Sequence, residues 1–252
     1  NIYTLVIGKF YSARDLGNYS RANHYAQMAS SQLNGIFSGV AFPMLCSIQN
    51  DMERLARVYR QYLRIIAFIV FPLMVGMSAV AKPLIIVMLT EKWIDVVELL
   101  QIICLSMMWY PVHAINLSLL QVKGRSDLFL RLEVIKKIII VIVMCITIPI
   151  SIKAMVIGSL CTSLICLFIN TYYTGKLINV GYLKQMKDLL PILLLALFMG
   201  LCVYIITLVV PGYLLQLIIG VISGMIIYVG IAYLFKMSEL TELLALIKLR
   251  KK

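Results

Sequence analysis

Apolar runs of about twenty residues recur along the chain, separated by short segments rich in Lys, Arg, Asn and Gly. The clearest, PILLLALFMGLCVYIITLVV over 191–210, holds no charge. A helix of that length crosses the roughly 30 Å of hydrocarbon in a bilayer. Hydropathy read against breakers predicts full spans near 22–48, 63–89, 96–121, 129–150, 152–173, 189–210 and 213–235, after a partial one over 1–10. The expected fold is therefore all-α, a polytopic transmembrane helical bundle of about seven full helices plus a partial N-terminal one. Pro72 and Pro83 in the second full span, and Pro111 in the third, are expected to kink their helices, which a bundle tolerates because neighbours re-satisfy the freed carbonyls. The chain opens on Asn1, and NIYTLVIGKF reads as the last turns of a helix already under way, so the sequence reads as the C-terminal part of a longer protein.

Polar residues inside such spans cost free energy unless they face a partner or water, so they mark where function is sought. In the first full span Asn23, Gln27, Ser30, Asn34 and Ser38 recur at steps of four, three, four and four and share one helical face. Arg21 and His24 lie beside them at the outer end. Two readings stand: the face lines a hydrated cavity, or it hydrogen-bonds neighbouring helices. The third span offers Ser106, Tyr110, His113 and Asn116, and the fifth Ser159, Ser163, Cys166, Asn170 and Tyr173, with the same two readings. His113 is either a histidine satisfied within the bundle or a ligand group. In the fourth span Glu133 can pair with Lys136 or Lys137; Lys136 either snorkels to the interface or turns inward as a cation for an anionic substrate. The last two spans have almost no polar atoms beyond Tyr204, Thr207, Ser223 and Tyr228, and should sit at the periphery, with Gly220 and Gly224 permitting close approach.

Composition removes other classes. A 62% hydrophobic content and a mean hydropathy of +0.97 exceed what one water-facing core of 252 residues can hide. The net charge of +12 then marks cytoplasmic loops rather than a nucleic-acid surface. Seventeen of the 23 basic residues fall on one side, in the groups 54–64, 123–137, 176–187 and 236–252, against six on the other (Lys9, Arg14, Arg21, Lys82, Lys92, Lys153). The positive-inside rule puts the first side, and the C-terminus, in the cytoplasm. The tail from Ser238 carries leucines at helical spacing and ends in LRKK, as an interfacial helix or as a solvated charged tail. Six cysteines lie inside apolar runs without a C-x-x-C pair, which fits small core hydrophobes. No metalloprotease, Walker, dinucleotide or Asp-rich signature is present, so neither an enzyme nor a metal or other cofactor is expected.

The stretches IGKFYSARDLGNYSRANHYAQM, FPMLCSIQNDMERLARVYRQYLRIIAFIVFPLMVG, MLTEKW and LLQVKGRSDLFLRLEVIKK, in this order, resemble the C-terminal half of bacterial polysaccharide or O-antigen flippases. These are Wzx-type lipopolysaccharide biosynthesis proteins of the multidrug/oligosaccharidyl-lipid/polysaccharide exporter superfamily. The similarity runs from Ile7 to about Asn179. It implies a two-lobed transporter, with 1–179 as the C-terminal lobe, 180–237 as two additional peripheral helices and 238–252 as a basic amphipathic cytoplasmic tail. It further implies that undecaprenyl-diphosphate-linked oligosaccharide is moved by alternating access across the bacterial inner membrane, with an N-terminal lobe and membrane lipids as partners. Arg21 and His24 lie near the position where the family carries cavity-lining cations and are expected to contact substrate, followed by Asn23, Gln27 and Asn34; His113 and Lys136 are further candidate contacts from their places in the spans. A cation-coupled drug exporter would need a buried acid, for which Glu133 is the mid-chain candidate; a non-transport assembly protein is the remaining alternative.

Overall fold

The computed structural model describes residues 2–243, with side chains for all of these except 31–41. Among these residues ten α-helices follow one another: α1 (Ile2–Phe10), α2 (Ala13–Ser47), α3 (Met52–Ala79), α4 (Ala81–Leu89), α5 (Val96–Met107), α6 (Tyr110–Val122), α7 (Ser126–Thr147), α8 (Ile152–Ile178), α9 (Tyr182–Val209) and α10 (Tyr213–Leu234), with a 3₁₀ turn at Glu91–Trp93. Helix resumes over 238–243; the end of the tail, with LRKK, lies outside the described residues. Caps fix several starts. Ser12 and Asp15 form a reciprocal capping box on α2, and Asp51 and Ser151 each accept a backbone N–H at the starts of α3 and α8.

Two expected spans are divided. The span 63–89 is not one kinked helix: α3 ends at Ala79 and α4 begins at Ala81, with Val80 capping both. Pro83 falls in the first turn of α4, where its missing N–H breaks no helical bond, so of the two prolines in this span Pro72 alone lies mid-helix. The span 96–121 is α5 followed by α6, joined through Met108 and Trp109, with Pro111 again in a first turn. Conversely, α9 starts at Tyr182, well before the apolar run, and contains Pro191.

Among the described residues, five spans are long and apolar enough to cross a bilayer: α3, α5 with α6 (Val96–Val122), α8, α9 and α10. Helices α2 and α7 have the length but carry polar and charged residues at their centres. The core is shared by all these elements, with Tyr59, Phe71, Leu63 and Met74 of α3 at its middle. Along α9, the face Gln185, Leu189, Ile192, Ala196, Met199 and Val203 is buried, and Gly200 of the same helix sits against Val75 of α3. Helix α10 packs on α9 through Gly220 and Gly224, both against Val203. Its Tyr228 hydroxyl donates to the Phe68 carbonyl of α3 (2.9 Å). The opposite faces of α9 and α10 expose Leu194, Leu201, Leu208, Ile222, Met225 and Ile226, a surface suited to acyl chains rather than water.

Polar contacts gather at the two ends of the bundle. At one pole Arg60 of α3 grips Asp188 of α9 in a bidentate pair (2.7 and 2.7 Å), and Arg64 meets Glu239 (3.6 Å), whose side chain is only 8% exposed. Lys123 donates to the Gln49 carbonyl nearby. In the adjoining α6–α7 loop, the Arg125 guanidinium donates to both Asp127 oxygens and holds that carboxyl down at about 2. At the other pole Arg14 pairs with Asp95 (2.8 Å) and Lys153 with Glu98 (3.0 Å). Each contact joins residues that the charge pattern places on the same side.

Candidate functional site

Helix α2 presents the chemistry least suited to lipid. Arg21 is exposed, and its guanidinium lies 5.7 Å from the centre of the Trp93 ring in the 3₁₀ turn. That indole face holds the cation in place without neutralising it. One turn on, His24 is exposed beside the Tyr25 ring, Asn23 is half-buried and Gln27 is exposed. The stripe does not continue as one open face. Ser30 is buried and donates to the Met107 carbonyl (3.0 Å) at the α5–α6 junction. Asn34 and Ser38 have side chains outside the described residues.

The polar stripes of α6 and α8 meet each other. His113 places Nε2 3.1 Å from the Ser163 hydroxyl and Nδ1 3.0 Å from the Asn170 amide nitrogen, so both ring nitrogens are occupied. One turn further, Asn116 and Gln185 form a reciprocal amide pair, each nitrogen 3.0 Å from the other's oxygen. Asn116 also donates to the Val112 carbonyl (2.8 Å) and accepts from Thr174 (2.7 Å), while Gln185 donates to the Val180 carbonyl (3.0 Å). Asn116, Thr174 and Gln185 are fully buried. The Tyr59 hydroxyl of α3 points at Thr174 and Gln185 without completing a bond of normal geometry. Of these stripes, His113, Asn116, Ser163 and Asn170 bond between helices, whereas Ser159 donates to the Val156 carbonyl of its own helix and Tyr110 is exposed.

Lys136 turns inward. Its amine pairs with Glu133, and the side chain is 12% exposed. The lysine is thus neither snorkelled nor free, and Glu133 is not an isolated buried acid. His113 is therefore tied to α8 and Lys136 is paired within α7, on helices other than the α2 that carries Arg21, Asn23, His24 and Gln27. Gln185, Thr174 and Tyr59 were not singled out in the sequence. Gln185 could have been found, because it lies in helical register with Leu189, Ile192, Ala196 and Met199 of the apolar run.

Among solved structures, the lipid II flippase MurJ in its inward closed conformation superposes with a TM-score of 0.75 at 18% identity, over 93% of this chain and 50% of that one. This chain has the fold of half of that protein. Residues 1–98 match the family model described as polysaccharide biosynthesis protein, and three of the four stretches that carry the resemblance lie within them. The lipopolysaccharide biosynthesis protein WzxC of Escherichia coli (strain K12) is 30% identical over 136 residues, 54% of this chain and 28% of WzxC. The teichuronic acid biosynthesis protein TuaB of Bacillus subtilis (strain 168) is 28% identical over 128 residues, 51% of this chain and 26% of TuaB. The chain thus spans half of the solved flippase, and its matches cover little more than a quarter of these relatives. It is similar to polysaccharide flippases and is a multi-pass membrane protein.

Proposed function

We propose that the chain is one lobe, with two added helices, of a flippase that carries undecaprenyl-diphosphate-linked oligosaccharide units across the bacterial inner membrane for O-antigen, capsule or exopolysaccharide synthesis. The observation that carries this reading is the exposed cation and amide face of α2, a helix long enough to cross the bilayer. A polar face at membrane depth needs water or a partner beside it. An N-terminal lobe would enclose it as one wall of a cavity. On this reading residues 1–179 form the lobe, 180–237 the added pair and 238–252 the tail.

The chemistry follows from residue type. The planar fork of Arg21 matches a diphosphate, and Trp93 keeps it oriented. His24 adds a second cation when protonated, and Asn23, Gln27 and Asn34 offer amides to sugar hydroxyls. Alternating access arises when this lobe rocks against the other around that face. His113 and Lys136 are committed to Ser163, Asn170 and Glu133, so in this arrangement they brace the lobe rather than meet substrate. The drug-exporter alternative loses its acid for the same reason. With the positive-inside rule, the Arg60 pole and the C-terminus are cytoplasmic and the Arg21 pole faces outward.

The test uses the complete gene. Deleting it is expected to leave lipid-linked repeat units on the cytoplasmic leaflet and to remove the surface glycan. Complementation with Arg21→Ala should restore roughly a tenth of the glycan or less, the loss expected for a charge-assisted phosphate contact, and Arg21→Lys should recover part of it. Intact surface glycan in the deletion strain, with no second flippase gene present, would end this reading.

A further inference from the structure

A second basic feature lies at the Arg60 pole, away from the α2 face. Between the start of α3 and the link from α8 to α9 is a cleft of about 560 Å³ whose charged lining is Arg57, Arg60, Lys176, Lys184 and Glu53. Arg60 is committed to Asp188. Arg57 is exposed and has no hydrogen bond or ion pair among the described residues, even with Glu53 four residues before it. Lys184 donates one N–H to the Asn179 carbonyl (2.8 Å) and has two more donors to offer. Lys176 lies 4.6 Å from the centre of the Tyr172 ring, which orients its amine and leaves its charge in place. Three cations from three helices therefore open onto one concavity with a single carboxylate.

The surface beneath the cleft tells which anion fits. Phe168, Tyr172 and Lys176 succeed one another at four-residue steps on α8, with both aromatics about half exposed, and Tyr182 of α9 packs edge-on against Phe168 (5.4 Å). Next to it Leu183 of α9 is 81% exposed. An aromatic row under a basic cleft is the pattern of a headgroup level, where rings sit at the interface and cations above them meet phosphate. A soluble anion would use the cations and leave this apolar strip uncovered. We propose that the cleft holds the phosphate of an anionic phospholipid, with an acyl chain lying along the exposed Phe168 and Leu183 surface. The assignment is independent of what the transporter carries.

The test uses the full-length protein purified in detergent with phosphatidylglycerol and phosphatidylcholine in equal amounts, with retained lipid counted by native mass spectrometry. Arg57→Gln, Lys176→Gln and Lys184→Gln should each lower retained phosphatidylglycerol by about fivefold, as expected for one cation at a membrane surface. The combined variant should lose it, and the charge-keeping set Arg57→Lys, Lys176→Arg and Lys184→Arg should hold it. A control with the same loss of charge at the other pole, Lys82→Gln, Lys92→Gln and Lys153→Gln, should retain lipid as the parent does. Thermal unfolding verifies that each protein is folded, and the single variants carry the test if the combined one is not. Equal retention in the cleft and control sets overturns the proposal. So does displacement by inorganic phosphate or glycerophosphoglycerol as readily as by phosphatidylglycerol, which would make the cleft a site for soluble anions.

Discussion

Gly200→Ala should destabilise the folded protein by about 1–3 kcal/mol, the usual range for forcing an extra methyl into a packed interface. A Cβ built at Gly200 would stand 2.4 Å from Cγ1 of Val75, far inside van der Waals contact. Val75 cannot swing away: it is β-branched, 6% exposed and held on the facing side of α3. The methyl fits only if α3 and α9 separate, and that separation would also strain the Arg60–Asp188 pair. Gly200→Leu should cost more and lower the yield of folded protein. Because the clash is with one side chain, Val75→Ala introduced with Gly200→Ala should recover most of the loss, giving a coupling of opposite sign to the single effects. Thermal unfolding in detergent, followed by a thiol-reactive dye, reports it through exposure of Cys104 and Cys166, both buried in the fold. A Gly200→Ala protein as stable as the parent, or a double variant no better than the single, would show that α3 and α9 do not approach so closely.

Asn116→Leu is the second large effect. The substitution keeps volume and removes one partner from a network in which Asn116, Thr174 and Gln185 are all fully buried. Hydrogen bonds between membrane helices are worth about 0.6 kcal/mol on average. Orphaning their partners costs more, about 1–3 kcal/mol for a buried group. Here the Gln185 amide loses its reciprocal partner, the Thr174 hydroxyl loses its acceptor and the Val112 carbonyl loses a donor. A total of about 2–4 kcal/mol is expected. Gln185→Leu placed on top of Asn116→Leu should return part of it, since removing both amides leaves fewer orphans than removing one. The same unfolding assay decides. Near-parent stability of Asn116→Leu would mean that the three helices are held by apolar packing alone.

Much of the fold can be read along the chain because lipid imposes a simple length rule. The limits of α2, α7, α8 and α10 fall within several residues of the hydropathy boundaries, apart from extensions of α2 and α8 beyond the apolar core. The divisions at Val80 and at Met108 were not legible. A helix that stops and restarts within one apolar run keeps the same hydropathy, and a proline reads alike whether it kinks a helix or opens one. Gln185 was missed for a related reason: polarity at the start of α9 reads as a loop until the residue's register with Leu189 and Ile192 is followed backwards. At the candidate site, Asn23 and Gln27 were identifiable by spacing, and Arg21 and His24 by their place beside that series and by the family resemblance. Spacing alone could not separate a stripe that faces outward from stripes that satisfy each other. Ser30 and His113 fall on the second side of that division, and only their partners Met107, Ser163 and Asn170 reveal it.

Helix α2 also bears on how the protein is made. It has the length to cross the bilayer, yet its centre carries Asn23, His24, Gln27, Gln32 and Asn34, residues that partition poorly into hydrocarbon one helix at a time. Its own hydropathy therefore does not commit it to the membrane during synthesis. One contact that shelters it comes from a later segment: the Met107 carbonyl that receives Ser30 lies 77 residues further along the chain. Stable insertion of α2 is thus expected to depend on the apolar helices packed against it rather than on its own hydropathy.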